Sequence, residues 1–312
     1  GLSETKVKQV TAKALTQRGK ISKDDIKDIL EEKKQFIARS EVLEFFETDS
    51  SQNDIGGLKI LKIWLKQRYR AFSKEAREYG LPVPKGVLLV GPQGTGKSLT
   101  AKSISQTWSM PLLRLDVGRL FSSLVGSSEA RTRETISRAE AMSPCILWID
   151  EIDKGFGGDA RSDGGTSQRV LASLLTWMAE KESAVFVIAT ANAIDKLPAE
   201  LLRKGRFDEI FFLDLPNSEE RLSILDLHLK RRRPNYDFPL STIIDRTGGY
   251  SGAELEQVVI EGMHYSFSEN RELMEKDLIK AVSELVPLSR TAKEQIDFLK
   301  EWSSTGRARS AS

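Results

Sequence analysis

The residues Gly91-Pro92-Gln93-Gly94-Thr95-Gly96-Lys97-Ser98 fit the spacing G-x-x-x-x-G-K-[ST]. They follow an apolar strand at 87–90 and open a helix, which is the context this spacing needs in order to hold phosphate. The glycines let backbone N–H groups turn inward around phosphate oxygens, and the helix N-terminus adds its positive end. Lys97 can reach the β- and γ-phosphates, and Ser98 offers a hydroxyl to Mg2+. Pro92, Gln93, Gly94, Thr95, Gly96, Lys97, Ser98 and Leu99 are therefore the expected cradle for ATP. A plain Gly-rich turn is the alternative, and the strand–loop–helix placement counts against it. About fifty residues on, the run 146–149 is apolar and ends in two acids, Asp150 and Glu151. A carboxylate at the carboxyl end of a parallel strand lies in the ligand crevice. Asp150 is expected to hold Mg2+ through water, and Glu151 to polarise an attacking water as general base.

Those side chains need a sheet to hold them. Runs at 86–90, 112–117, 145–150, 184–190 and 209–215 read as buried strands, with helical stretches between most of them. That alternation predicts a five-stranded parallel α/β sheet covered by helices on both faces. The spacing also predicts helices over 1–46, one long helix over 58–79 stopped by Gly80 and the Pro82/Pro84 pair, and a helical lid after Pro216 with Ser218 as N-cap. The polar tail after Thr305 reads as frayed. The expected divisions are a helical segment at 1–46, a large nucleotide-binding domain at 47–216, a lid at 217–290, and a C-terminal helix with a disordered tail at 291–312. One internal echo stands out. Gly1-Leu2-Ser3 with Gln9-Val10 matches Gly249-Tyr250-Ser251 with Gln257-Val258, so 1–40 could be the lid remnant of an earlier, similar module.

Composition narrows the class. The chain has 312 residues, 39% hydrophobic and 29% charged, with a net charge of +2. That balance gives no electrostatic case for nucleic acid or an anionic membrane. Cys145 is the single cysteine, which excludes an internal disulfide; it sits in an apolar run and reads as a packing thiol. The longest mostly apolar stretch, 184–194, is too short to span a bilayer, and no charged-then-apolar signal segment opens the chain. Residue 1 is Gly rather than Met, as expected of a processed or truncated product.

Taken together, residues 54–285 resemble the AAA+ ATPases. Asp54-Ile55-Gly56-Gly57 looks like the family's adenine-side motif. Thr190-Ala191-Asn192 looks like its first sensor, which implies that Asn192 orients water against the γ-phosphate. The stretch 202–208 resembles the second region of homology, so Arg203 and Arg206 are implied to be arginine fingers reaching a neighbouring subunit's site. The stretch 221–228 resembles the lid helix whose histidine, here His228, packs near ribose and base. Gly249-Tyr250-Ser251-Gly252-Ala253-Glu254 resembles the second sensor. Ala253 stands where other branches have arginine, so Gly252 and Ala253 are implied to act through backbone and packing. The stretches 43–68, 188–216 and 286–302 resemble a narrower group, the conserved-reading-frame AAA+ ATPases of algal plastids and cyanobacteria. The resemblance implies ATP and Mg2+ as ligands, a homohexameric ring acting on an unknown protein client, and the plastid stroma or cyanobacterial cytoplasm as setting.

Two places depart from the family pattern. Leu124 occupies the slot where threading motors carry a pore aromatic, and a leucine offers less flat contact area to an extended peptide. Phe156, in the Gly-rich second pore segment, could supply the ring or could anchor the loop. The run Lys230-Arg231-Arg232-Arg233 reads as solvated charge matched to a helix end rather than as a nucleic-acid surface. A nucleotide-dependent scaffold and, further off, a nucleic-acid motor are the competing readings.

Overall fold

The computed structural model describes residues 8, 12, 15, 16, 34, 35, 37, 40, 42–46, 55–121, 127–156 and 166–312. Asp54, Leu124 and most of 1–40 lie outside these. The first strand, β1 (Leu43–Phe46), is followed by α1 (Lys59–Arg70) and α2 (Lys74–Glu78). Then come β2 (Gly86–Val90), α3 (Lys97–Trp108), β3 (Leu112–Leu115), α4 (Val117–Phe121), α5 (Ser127–Ala141), β4 (Cys145–Ile149), α6 (Thr166–Glu180), β5 (Val185–Ala191) and β6 (Glu209–Phe212). The remainder is α7 (Ser218–Arg232), α8 (Ser241–Arg246), α9 (Gly252–Ser268), α10 (Glu275–Glu284), α11 (Leu288–Thr291), α12 (Lys293–Trp302) and β7 (Arg309–Ser310).

The five expected strands form the parallel centre of a wider sheet, in the order β1-β3-β4-β5-β2-β6-β7. Their residues are apolar on both sides because both faces are covered. Val87 and Leu89 pack in one layer with Trp64, Ile104 and Phe186. Leu88 and Val90 pack in the other with Leu147, Val187 and Leu174. Strand alternation produces this division. The layer beneath α1 and α3 is rich in rings: Trp108 lies 4.7 Å from Phe186 and 5.7 Å from Phe72. The lid has its own core, which includes Leu225, Ile243, Leu255, Val258 and Leu278.

Four expectations need correction. The helical reading of 1–46 fails at its end, because Leu43–Phe46 is a strand paired antiparallel with β3. The single helix over 58–79 is two. Ser73 Oγ accepts from Ala76 N–H at 3.2 Å and caps a new helix, while Phe72 turns into the ring cluster. The lid's first helix takes its cap one residue earlier than expected, from Asn217, in a reciprocal box with Glu220. The tail is docked rather than frayed. Arg309–Ser310 adds a parallel strand to β6, and Ala311 is fully buried. Ala311 O accepts from Ile60 and Leu61 N–H, both at 3.1 Å. The tail thus satisfies free N–H groups at the start of α1 and covers the β6 edge.

Candidate active site

The phosphate loop leaves the carboxyl end of β2, between β5 and β6 in the sheet, and enters α3. In α/β sheets ligands bind outside the carboxyl ends of the strands. Gly94 has φ +76°, which favours glycine. It also lets the lid close in, because a side chain there would meet Ser251 Oγ and the Ala253 methyl. Lys97 is buried, and its ammonium donates to Gly91 O at 2.7 Å and Pro92 O at 2.6 Å. Burial pushes its pKa down to about 8, partly opposed by Asp153, Asp150 and Glu151.

The acids and hydroxyls across the loop form one connected chain. Ser98 Oγ donates to Asp150 Oδ1 at 3.0 Å, and Thr190 Oγ1 donates to the same oxygen at 2.7 Å. Thr190 Oγ1 in turn accepts from Glu151 N–H at 2.8 Å. That contact helps hold Glu151 at φ +49°, a backbone region that costs a non-glycine residue about 1–3 kcal/mol. Asn192 Nδ2 donates to Glu151 Oε1 at 3.1 Å, fixing the carboxylate beside the loop. Lys154 pairs with the other carboxylate oxygen, and that contact raises the Lys154 pKa. Sequence reasoning missed Asp153, which is buried and accepts from Asn192 N–H at 3.3 Å and Ala193 N–H at 3.2 Å. Its position three residues after Asp150 was the available signal.

The lid closes the cleft from the other side. Ala253 N–H donates to Gly94 O at 3.1 Å, so Gly252 and Ala253 meet the phosphate loop through backbone and packing. Gly57 sits against α7, where a side chain would run into the Glu220 carboxylate; Glu220 Oε1 also accepts from Leu58 N–H at 3.2 Å. His228 is buried beside Arg232, whose Nη1 lies 3.2 Å from its Nδ1. Burial lowers the His228 pKa, partly opposed by Glu256. The cleft is about 600 Å3, and Ile55, Gly56, Gln93, Thr95, Ser98, Leu99, Glu151, Asn192 and His228 are among its walls. Every candidate nucleotide-contacting residue that is described falls on or beside it.

Arg203 and Arg206 do not. Their loop lies at the amino ends of β2 and β6: Lys85 Nζ donates to Gly205 O at 2.8 Å, and the Asp208 carboxylate accepts from Lys85 and Gly86 N–H. The whole of β2, about 3.3 Å per residue, separates them from the phosphate loop. Arg203 is exposed and lines a separate groove of about 920 Å3 with Lys204, Arg307 and Arg309. Arg206 Nε is buried without a hydrogen-bond partner. Phe156 packs partly buried against the core, which makes it an anchor of its loop. Among the described residues no group of three His, Cys, Asp or Glu could hold a metal, and no helix is long and apolar enough to cross a membrane.

Residues 87–215 match the ATPase family associated with various cellular activities (AAA). The chain carries an AAA ATPase domain. It is similar over its full length to the AAA domain-containing protein ycf46 of Pyropia yezoensis, at 52% identity, and of Guillardia theta, at 50%. The chain spans 64% and 62% of those relatives' lengths. Its AAA fold is similar to a crystal structure of the FIGL-1 AAA domain in complex with ADP. That match has a TM-score of 0.70 at 23% identity and covers 88% of this chain and 96% of the other. Residues 1–40 of this AAA protein match a second family, the second domain of SpoVK-like AAA ATPases.

Proposed function

We propose that this chain is the ATP-hydrolysing unit of a homohexameric ring that remodels a protein client. The observation that carries this reading is the unbroken hydrogen-bond chain Ser98–Asp150–Thr190–Glu151–Asn192 beside Lys97. Lys97 exchanges the carbonyls of Gly91 and Pro92 for the β- and γ-phosphate oxygens. Glu151, oriented by Asn192, takes the proton of the attacking water. Asp153 holds the sensor backbone that positions Asn192. The Ser98 hydroxyl and Asp150 carboxylate, 3.0 Å apart, are the hard oxygen donors that a Mg2+–triphosphate needs, with phosphate and water completing the shell. Mg2+ bound there would neutralise charge on the phosphates.

The ring reading rests on the arginine loop, which faces away from its own cleft and is useful only against a neighbour's γ-phosphate. Residues 1–40 are read as the lid of an upstream AAA-type module, supported by the SpoVK-like match and the echo with 249–258. The algal relatives support a plastid stroma or cyanobacterial cytoplasm, and the near-neutral charge disfavours nucleic acid as client.

Steady-state phosphate release tests the site. Lys97→Ala is expected to lose nucleotide binding. Glu151→Gln is expected to bind ATP and lose on the order of 10²-fold or more in turnover. Parent-rate turnover by Glu151→Gln would remove it as the base.

A further inference from the structure

The two ends of the cleft are set by different elements. At one end, the bond from Ala253 N–H to Gly94 O seats the first turn of α9 on the phosphate loop. At the other, Ile55, Leu58, Ile224 and Leu227 form an apolar wall suited to a flat base. Glu256 also lines the cleft. It follows Ala253 by three residues on α9, a rise of about 4.5 Å along the same helix face.

A carboxylate is an unexpected lining group for a pocket that takes a polyanion. Arg232, from α7, makes it tolerable by donating to Glu256 Oε1 at 2.5 Å. The same guanidinium lies 3.2 Å from His228 Nδ1. Glu256 Oε2 carries no hydrogen bond among the described residues. An ionised carboxylate only accepts, and this half-exposed side chain leaves Oε2 open to a donor in the cleft. Between the phosphates and the base, a nucleotide offers the ribose hydroxyls. Carboxylates meet ribose hydroxyls in the same way in dinucleotide-binding folds.

We propose that Glu256 is a specificity-determining residue that accepts from a ribose hydroxyl and so selects ribonucleotides over deoxyribonucleotides, with Arg232 as its positioning residue. This rests on the nucleotide reading of the cleft. It adds a hydrogen-bond acceptor for the sugar to a site where His228 is implied to pack near ribose and base.

The experiment is calorimetric titration of the full chain with ADP, 2′-deoxyADP and 3′-deoxyADP, which bind without turnover. The parent should prefer ADP over at least one deoxy analogue by about tenfold or more, the size expected for a hydrogen bond to a charged acceptor. Glu256→Ala should bring the ratio to within about twofold, with an unchanged unfolding temperature. Glu256→Gln, which keeps the shape and one acceptor, should fall between. A parent with no sugar preference, or a Glu256→Ala protein that keeps the parent ratio, overturns the proposal and leaves Glu256 as an ion-pair partner of Arg232. Failure of the parent to bind ADP at all would instead overturn the nucleotide reading beneath it.

Discussion

The cleft and the arginine loop are built on opposite principles. In the cleft almost every polar group is already engaged. Lys97 holds two carbonyls, Asp150 takes two hydroxyls, Glu151 takes Asn192, and Asp153 takes two backbone N–H groups. Such a network fixes geometry before a ligand arrives, which is what electrostatic stabilisation of a transition state requires. At the other end of β2, Arg203 is exposed and Arg206 Nε is buried without a partner. A buried unsatisfied donor costs about 1–3 kcal/mol. The first region is complete within one chain; in the ring proposed above, a neighbouring subunit's cleft would complete the second.

Each substitution sharpens that contrast. The largest effect is expected at the incomplete end. Arg206→Ala should reduce ATP turnover on the order of 10³-fold while leaving ADP affinity within about twofold, because the finger touches no nucleotide of its own chain. Loss of ADP affinity by titration would place Arg206 in its own cleft and erase the distinction. Next is Asp153→Asn, which keeps the shape and removes charge from the sensor's anchor. Turnover should fall roughly 10- to 100-fold with little change in KM, read by steady-state kinetics. An unchanged kcat would mean that Asn192 is held without it.

The smallest effect is a proton linkage in the cleft. Lys97 has its pKa lowered to about 8 in the free protein because burial disfavours the charged form. Phosphate oxygens favour that form, so nucleotide binding above pH 8 must take up a proton. ADP affinity should therefore be flat below pH 8 and fall as pH rises through it, by up to tenfold per unit. Calorimetry in buffers of different ionisation heat should show the uptake. Affinity independent of pH across this window would mean that Lys97 is fully charged in the free cleft.

How much could be read beforehand follows from how each part is encoded. The phosphate loop and the Asp150–Glu151 pair were legible because their chemistry needs particular residue types side by side in the chain. The five central strands were legible because burial on both faces leaves continuous apolar runs. What escaped depends on distant partners. The docking of Arg309 to Ala311 is a backbone interaction with the β6 edge and the start of α1, and backbone pairing leaves no side-chain signature. The break after Arg70 follows from Phe72 reaching Trp108 and Phe186, residues far along the chain. The fine structure of the site was half visible. Thr190 was seen as part of a motif without its bond to Asp150, and Glu256 carries meaning only once the lid has brought it over the cleft.

The central claim is that one chain's arginine loop completes another chain's cleft, and mixing two inactive proteins tests it most directly. Arg206→Ala keeps an intact cleft, and Lys97→Ala keeps an intact finger behind an empty one. Co-sedimentation must first establish that the two assemble together. The account predicts that each protein alone is nearly inactive, and that the mixture recovers a substantial fraction of parent ATP turnover. A co-assembled mixture as inactive as its parts would contradict it.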